Sequence, residues 1–131
     1  MPTKSRSAKA KMSVTHISKI KAKYFGRLLT RQIASGRLLG NVSVIYERVP
    51  PHTQLPTIYH RRTTELIYCL RGTVTACLGG RRHRLRGGSL VILPPGVRHR
   101  FETKDGACEC LSLFFPSLMI SKKADIHKES R

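Results

Sequence analysis

This sequence predicts an all-β fold, a jelly-roll barrel behind a basic N-terminal arm. Three observations carry that expectation: short β-branched and aliphatic segments recur at close spacing, Gly-Gly pairs at 79–80 and 87–88 punctuate them, and the same region holds no convincing amphipathic helix.

The elements follow in chain order. Residues 1–23 carry Lys4, Arg6, Lys9, Lys11, Lys19, Lys21 and Lys23 among Ser, Thr and Ala, too polar and like-charged to pack alone, and are expected to form a mobile arm. From Tyr24 the pattern changes. Two opening strands are expected over Arg27 to Ala34 and Leu38 to Val49, separated by the Ser35-Gly36 break. Pro50, Pro51 and Pro56 then exclude a central strand, because each proline removes a ladder donor. Short strands follow at Thr57 to His60, Glu65 to Arg71, Thr73 to Leu78, Arg81 to Leu85, Leu90 to Leu93, His99 to Glu102 and Glu109 to Phe115. In the second of these, period-2 alternation puts Glu65, Ile67 and Cys69 on one face and Leu66, Tyr68 and Leu70 on the other. A strand apolar on both faces belongs in a sandwich or barrel, and its outer face calls for a cover, for which a homodimer is the expected answer. After residues 24–116, the barrel, the tail 117–131 is expected to open on a short apolar turn at Leu118-Met119-Ile120 and to fray over its last ten residues.

Twenty-five Lys and Arg against seven Asp and Glu give a net charge of +18, which favours polyanions or acidic surfaces as partners. Nonspecific nucleic-acid contact through residues 1–23 fits that charge, although aromatic interleaving and a base-reading module are missing. The chain has neither an apolar run of membrane-spanning length nor a charged-then-apolar leader, so a soluble, cytoplasmic protein without a membrane partner is expected. Cys69, Cys77, Cys108 and Cys110 form no C-x2-C pair and have no histidine at zinc-finger spacing. They read as small apolar strand residues, though Cys108 and Cys110 share a strand face and could form a soft ligand or redox pair.

Two motifs carry the chemistry. Gly88-Ser-Leu-Val-Ile-Leu-Pro94-Pro-Gly96-Val-Arg-His99 fits G-x5-P-x-G-x2-H, and His60-Arg-Arg-Thr-Thr-Glu65 followed by Gly72 fits H-x4-E-x6-G. In this order they resemble the two signatures of the cupin superfamily over roughly residues 40 to 116, and a small single-domain member in particular. The resemblance implies a double-stranded β-helix, and it implies that His60, Glu65 and His99 are metal ligands. The chain departs from the family pattern at Ile58, which stands where a first histidine is usual and cannot coordinate a cation. His52, Ser89 and Thr103 replace the usual Gly, Asp and Asn.

Two imidazoles and a carboxylate form a facial-triad donor set with open positions, suited to Fe, Mn, Co, Ni or Zn, with Fe(II) favoured. The alternative is a metal-free site in which Glu65 simply accepts hydrogen bonds. His83 could serve as a replacement ligand, but its basic neighbours Arg82 and Arg84 suit an exposed edge better. Tyr59 alternates with His60 and points away, while His16 and His52 lie in the arm and a loop. Phe101, in phase with His99, is expected to line a substrate pocket with Ile58, Ile67 and Val91 or Leu93. Arg98 and Arg100 alternate away from His99 as a solvated rim. The sharper expectation is that a guanidinium, Arg98 the candidate, reaches over the mouth to hold a carboxylate or phosphate.

Three functions remain open. The first is a metal-dependent cupin that binds or converts a small anionic molecule, as a dioxygenase or an isomerase-type enzyme. The second is a ligand-binding or sensor cupin without turnover and with weak or no metal. The third is polyanion binding through the arm.

Overall fold

The computed structural model describes residues 12–34, 39–118 and 124–129. Eleven strands occur among them: β1 (Ala22–Phe25), β2 (Leu28–Ala34), β3 (Ser43–Val49), β4 (Ile58–Tyr59), β5 (Thr64–Arg71), β6 (Thr73–Leu78), β7 (Arg81–Arg86), β8 (Leu90–Leu93), β9 (His99–Glu102), β10 (Cys108–Phe115) and β11 (His127–Lys128). They form two antiparallel sheets, ordered β1-β2-β3-β10-β5-β8 and β11-β4-β9-β6-β7. The all-β jelly roll read from the sequence is therefore what the chain adopts.

Period-2 alternation explains which side chains meet between the sheets. On β5, Glu65, Ile67 and Cys69 are buried, and on β10 so are Cys108, Cys110, Ser112 and Phe114. Of these, Ile67, Cys69, Cys108 and Cys110 join Val74, Ala76 and Leu85 from the facing sheet and Val91 and Leu93 from β8 in one core, while Phe114 packs with Ile45 and Leu118 in a second cluster. Burying such aliphatic side chains contributes about 1.5–3 kcal/mol each.

Two motif glycines have structural reasons. Gly72 turns β5 into β6 at φ +85, and a Cβ there would lie 2.2 Å from the Ala107 carbonyl oxygen. Gly96 has φ +91 and its N–H donates to the His60 carbonyl oxygen at 2.7 Å, which ties one motif to the other.

Three expectations need correction. β3 starts at Ser43 rather than Leu38, because Gly40 and Asn41 both adopt positive φ and turn the chain there. At the N-terminal side, β1 pairs with β2 from Ala22 onward, so the last residues assigned to the arm belong to a sheet edge; residues 1–11 lie outside the described part. The tail does not fray throughout: β11 pairs with β4, and Leu118 is buried with Ile45 and Phe114. Met119 and Ile120 of the expected apolar turn lie outside the described residues. No helix among the described residues is long and apolar enough to cross a membrane.

Candidate metal centre

His60 follows β4, Glu65 lies on β5 and His99 opens β9, and the two-sheet architecture turns all three inward. They are 3%, 4% and 2% exposed. The His60 Nε2 lies 3.2 Å from Glu65 Oε1 and the His99 Nε2 lies 3.6 Å from the same oxygen. One ligand atom from each residue lies within 4.8 Å of the other two. Atoms held ~2.0–2.2 Å from one cation at angles of about 100–120° would be separated by such distances.

The other ring nitrogens settle the tautomers. His60 Nδ1 lies 2.7 Å from the Asp125 carbonyl oxygen and His99 Nδ1 lies 2.9 Å from that of Val97. A carbonyl oxygen only accepts, so each Nδ1 carries the hydrogen and each neutral ring turns an Nε2 lone pair toward Glu65. Two lone pairs and a carboxylate oxygen then face one another in a buried site. A cation resolves that conflict, and the donor set fits a divalent transition metal. Without one, a proton must serve. Burial disfavours charge on His60, but the Glu65 carboxylate, with the Asp125 carbonyl and carboxylate, outweighs it and raises the pKa above the usual histidine value. For His99 burial wins over Glu65, and the pKa falls.

The trio opens on a cavity of about 60 Å³ lined mostly by apolar side chains. Ile58, Ile67 and Phe101 line it, whereas Val91 and Leu93 pack in the core beside it. Arg98 is not on the cavity wall. Its guanidinium carbon lies 3.7 Å over the Tyr59 ring, Nη1 donates to the Gly96 carbonyl oxygen, and Nε lies 3.6 Å from Glu129. Among the described residues no Lys or Arg lines the cavity. His83 is exposed on β7, and His16 and His52 are exposed as expected.

Sequence reasoning missed two residues. Glu47 lies on the cavity wall and accepts a hydrogen bond from Ser112 Oγ at 2.6 Å. Part of its surface is open to the cavity, yet its carboxyl is enclosed by protein; that burial, reinforced by the nearby Glu65 charge, pushes its pKa up to about 8. Its signal was present in the alternation Ile45, Glu47, Val49 on β3. Asp125 is the second. Its carboxylate accepts from the backbone N–H groups of Arg61, Arg62 and Thr63 at 2.9, 2.8 and 3.1 Å, holding the loop between His60 and Glu65. Burial opposes its charge, but these donors hold the carboxyl below the usual range. Its carboxylate also accepts from His127 Nε2 at 2.8 Å, but no local pattern announces its hold on the loop, because Arg61, Arg62 and Thr63 lie more than sixty positions away.

Residues 45–114 match the sequence profile of the family described as Cupin domain. No curated protein gives a significant match. Among solved structures, the polyketide cyclase RemF from Streptomyces resistomycificus superposes with a TM-score of 0.76 at 18% identity, covering 92% of this chain and 87% of that one. A predicted oxalate decarboxylase from Thermotoga maritima gives 0.71 at 17%, with 78% and 97% covered. Ectoine synthase from P. lautus gives 0.69 at 17%, with 80% and 78% covered. At these identities the likeness is one of fold.

Proposed function

This chain belongs to the cupin domain family, and on that premise we propose that it holds a divalent transition metal at His60, Glu65 and His99 and acts on a small molecule in the barrel cavity. The observation that carries the reading is the orientation of the two histidines, each with Nδ1 committed to a backbone carbonyl and Nε2 aimed at Glu65 Oε1. Iron, manganese, nickel and zinc all suit the donors, and a bound metal would supply Lewis acidity or an open coordination position.

The protein's own part is positional. The apolar wall, with Ile58, Ile67 and Phe101, excludes water and limits the ligand to a few heavy atoms beyond the metal. Because no cationic side chain among the described residues lines that wall, the charge of an anionic ligand falls to the metal to balance. Glu47, whose carboxyl pKa burial and the Glu65 charge push up to about 8 in the metal-free protein, is placed to give or take a proton at the cavity wall. A dioxygenase or an isomerase-type reaction is consistent with these parts. The cyclase, decarboxylase and synthase named among the structural neighbours support a small-molecule role.

Metal analysis of protein purified without a polyhistidine tag, followed by calorimetric titration with Mn, Fe, Ni and Zn, tests the proposal. One equivalent of bound metal is expected. No binding by any of the four would overturn it, and a metal-free ligand-binding cupin, with Ile58 enlarging the apolar cavity, would take its place.

Three finer statements accompany this reading. A cytoplasmic setting is supported by four cysteines that are all free. Contact with nucleic acid or another polyanion is assigned to residues 1–23 on charge alone, so it should weaken steeply with salt. A second copy of the chain is proposed to cover the outer face of the larger sheet.

A further inference from the structure

Three of the four cysteines in the chain converge on one point. Cys110 Sγ lies 3.7 Å from Cys108 Sγ and 3.6 Å from Cys69 Sγ, and all three residues are buried. Residues i and i+2 of a strand are ~6.6 Å apart along the chain, so the Cys108 and Cys110 thiols lean toward each other rather than standing parallel. The register of β10 against β5 shifts between Glu109 and Cys110, where such a bulge re-aims side chains.

We propose that Cys69, Cys108 and Cys110 form a second metal site, independent of the first, which takes one soft thiophilic cation, Cu(I). Sulfur ligands ~2.3 Å from one ion at angles between tetrahedral and trigonal lie ~3.8–4.0 Å apart, so the observed separations need only a small adjustment. Zinc at a structural site completes four ligands. Here the group contains three sulfurs and no further His, Asp or Glu among the described residues; Ile67, Val74, Ala76 and Leu85 pack with it, and Glu47, the register partner of Cys110, stands outside the group. Low coordination by soft donors in a dry pocket selects Cu(I). Cys108 and Cys110 also lie on the cavity wall, which provides an entry path. The site is distinct from the histidine centre, since Cys69 stands four residues beyond Glu65 on β5, ~13 Å at the rise of a strand. Each thiol that ligates as thiolate releases its proton, so affinity should rise with pH.

Three thiols packed merely as small apolar groups would touch at similar distances, and an anaerobic Cu(I) titration against a chromophoric chelator separates the two readings. Full-length Cys77→Ser protein serves as the background, removing the partly exposed thiol. One equivalent of Cu(I) is expected, with sulfur-to-copper charge-transfer absorption in the near ultraviolet, and the same result when His60→Ala and His99→Ala are added. Cys110→Ala should bind about 100-fold more weakly and lose the band. Alanine at this small apolar position should preserve the fold, which circular dichroism checks; Cys69→Ala is the parallel variant, on another strand. No Cu(I) binding by the background protein, or a band that persists in a folded cysteine variant, overturns the proposal. So does copper that disappears with the histidines and survives loss of the cysteines.

Discussion

Ile58 and His60 stand two residues apart at β4, and both face the cavity, but only His60 has a donor atom. Ile58 is also the register partner of His99, so an imidazole at this position would enter the site between the two existing ones. Ile58→His is expected to tighten divalent-metal binding by about tenfold or more, and His99→Ala to weaken it by a comparable factor, both read by calorimetry. If neither variant changes the affinity, these residues do not form the centre. Glu47 supports a separate prediction. Its carboxyl stays protonated in the folded protein up to about pH 8, whereas the unfolded chain loses that proton near 4.5. The folded state therefore binds more protons across that window, and Glu47 makes stability fall as the pH rises from 4.5 to 8. In metal-free protein Glu47→Gln should flatten this slope, as measured by urea denaturation at a series of pH values; an unchanged slope would place the titration elsewhere.

At the scale of elements, the C-terminal strand does more than extend a sheet. β11 pairs with β4, and the preceding Asp125 binds the 61–63 loop through its carboxylate and orients His60 through its carbonyl oxygen. Asp125→Ala is expected to cost about 2 kcal/mol, because three backbone donors lose a charged acceptor. Metal affinity should fall by about 10–100-fold as His60 loses its orientation. The wild-type contribution is complete above the ordinary carboxylate pKa of 3.8 and is lost as the pH falls below it, since the folded-state pKa is depressed. Unchanged melting temperature and metal affinity in the variant would show that the strap is passive. This element also marks the limit of what the sequence discloses. β6, β8 and β9 were legible to the residue, because period-2 alternation and glycine turns bound them, and the convergence of His60, Glu65 and His99 was legible because the motif spacing carries it. β1 and β11 were not, since Ala22–Phe25 follows directly on the lysine-rich segment and His127–Lys128 is only two polar residues long, and each becomes a strand only through its pairing, with β2 and β4 respectively. Arg98 escaped for a related reason: its partners, Tyr59 and Glu129, come from β4 and the C-terminal segment.

Among the described residues, exposed apolar side chains gather on the outer face of the larger sheet, with Arg31, Arg48 and Arg71 at the flanks of that face. Cross-strand register builds two rows on the outer face of the larger sheet, Val44–Leu113–Leu66–Ile92 and Tyr46–Leu111–Tyr68–Leu90. Leu90 is 65% exposed and Ile92 66%, with Tyr68, Leu70 and Phe115 near 40%. A cluster of arginines instead lies on the smaller sheet, with Arg81, Arg82, Arg84 and Arg86 on β7 and Arg100 on β9. Two copies joined through the apolar rows would keep these like charges apart on opposite sides of the dimer, which matters for a chain of net charge +18. The larger sheet is therefore the expected two-fold interface, and sedimentation at micromolar concentration should give a species of about twice 14.8 kDa. Ile92→Lys places a charge within the apolar rows, on the edge strand β8, without touching the core, because Ile92 points outward between the buried Val91 and Leu93. This variant should sediment as a monomer while keeping the divalent-metal affinity of the parent, since the histidine centre lies on the inner face. A parent that sediments only as a monomer would rule out self-association as the cover for this face.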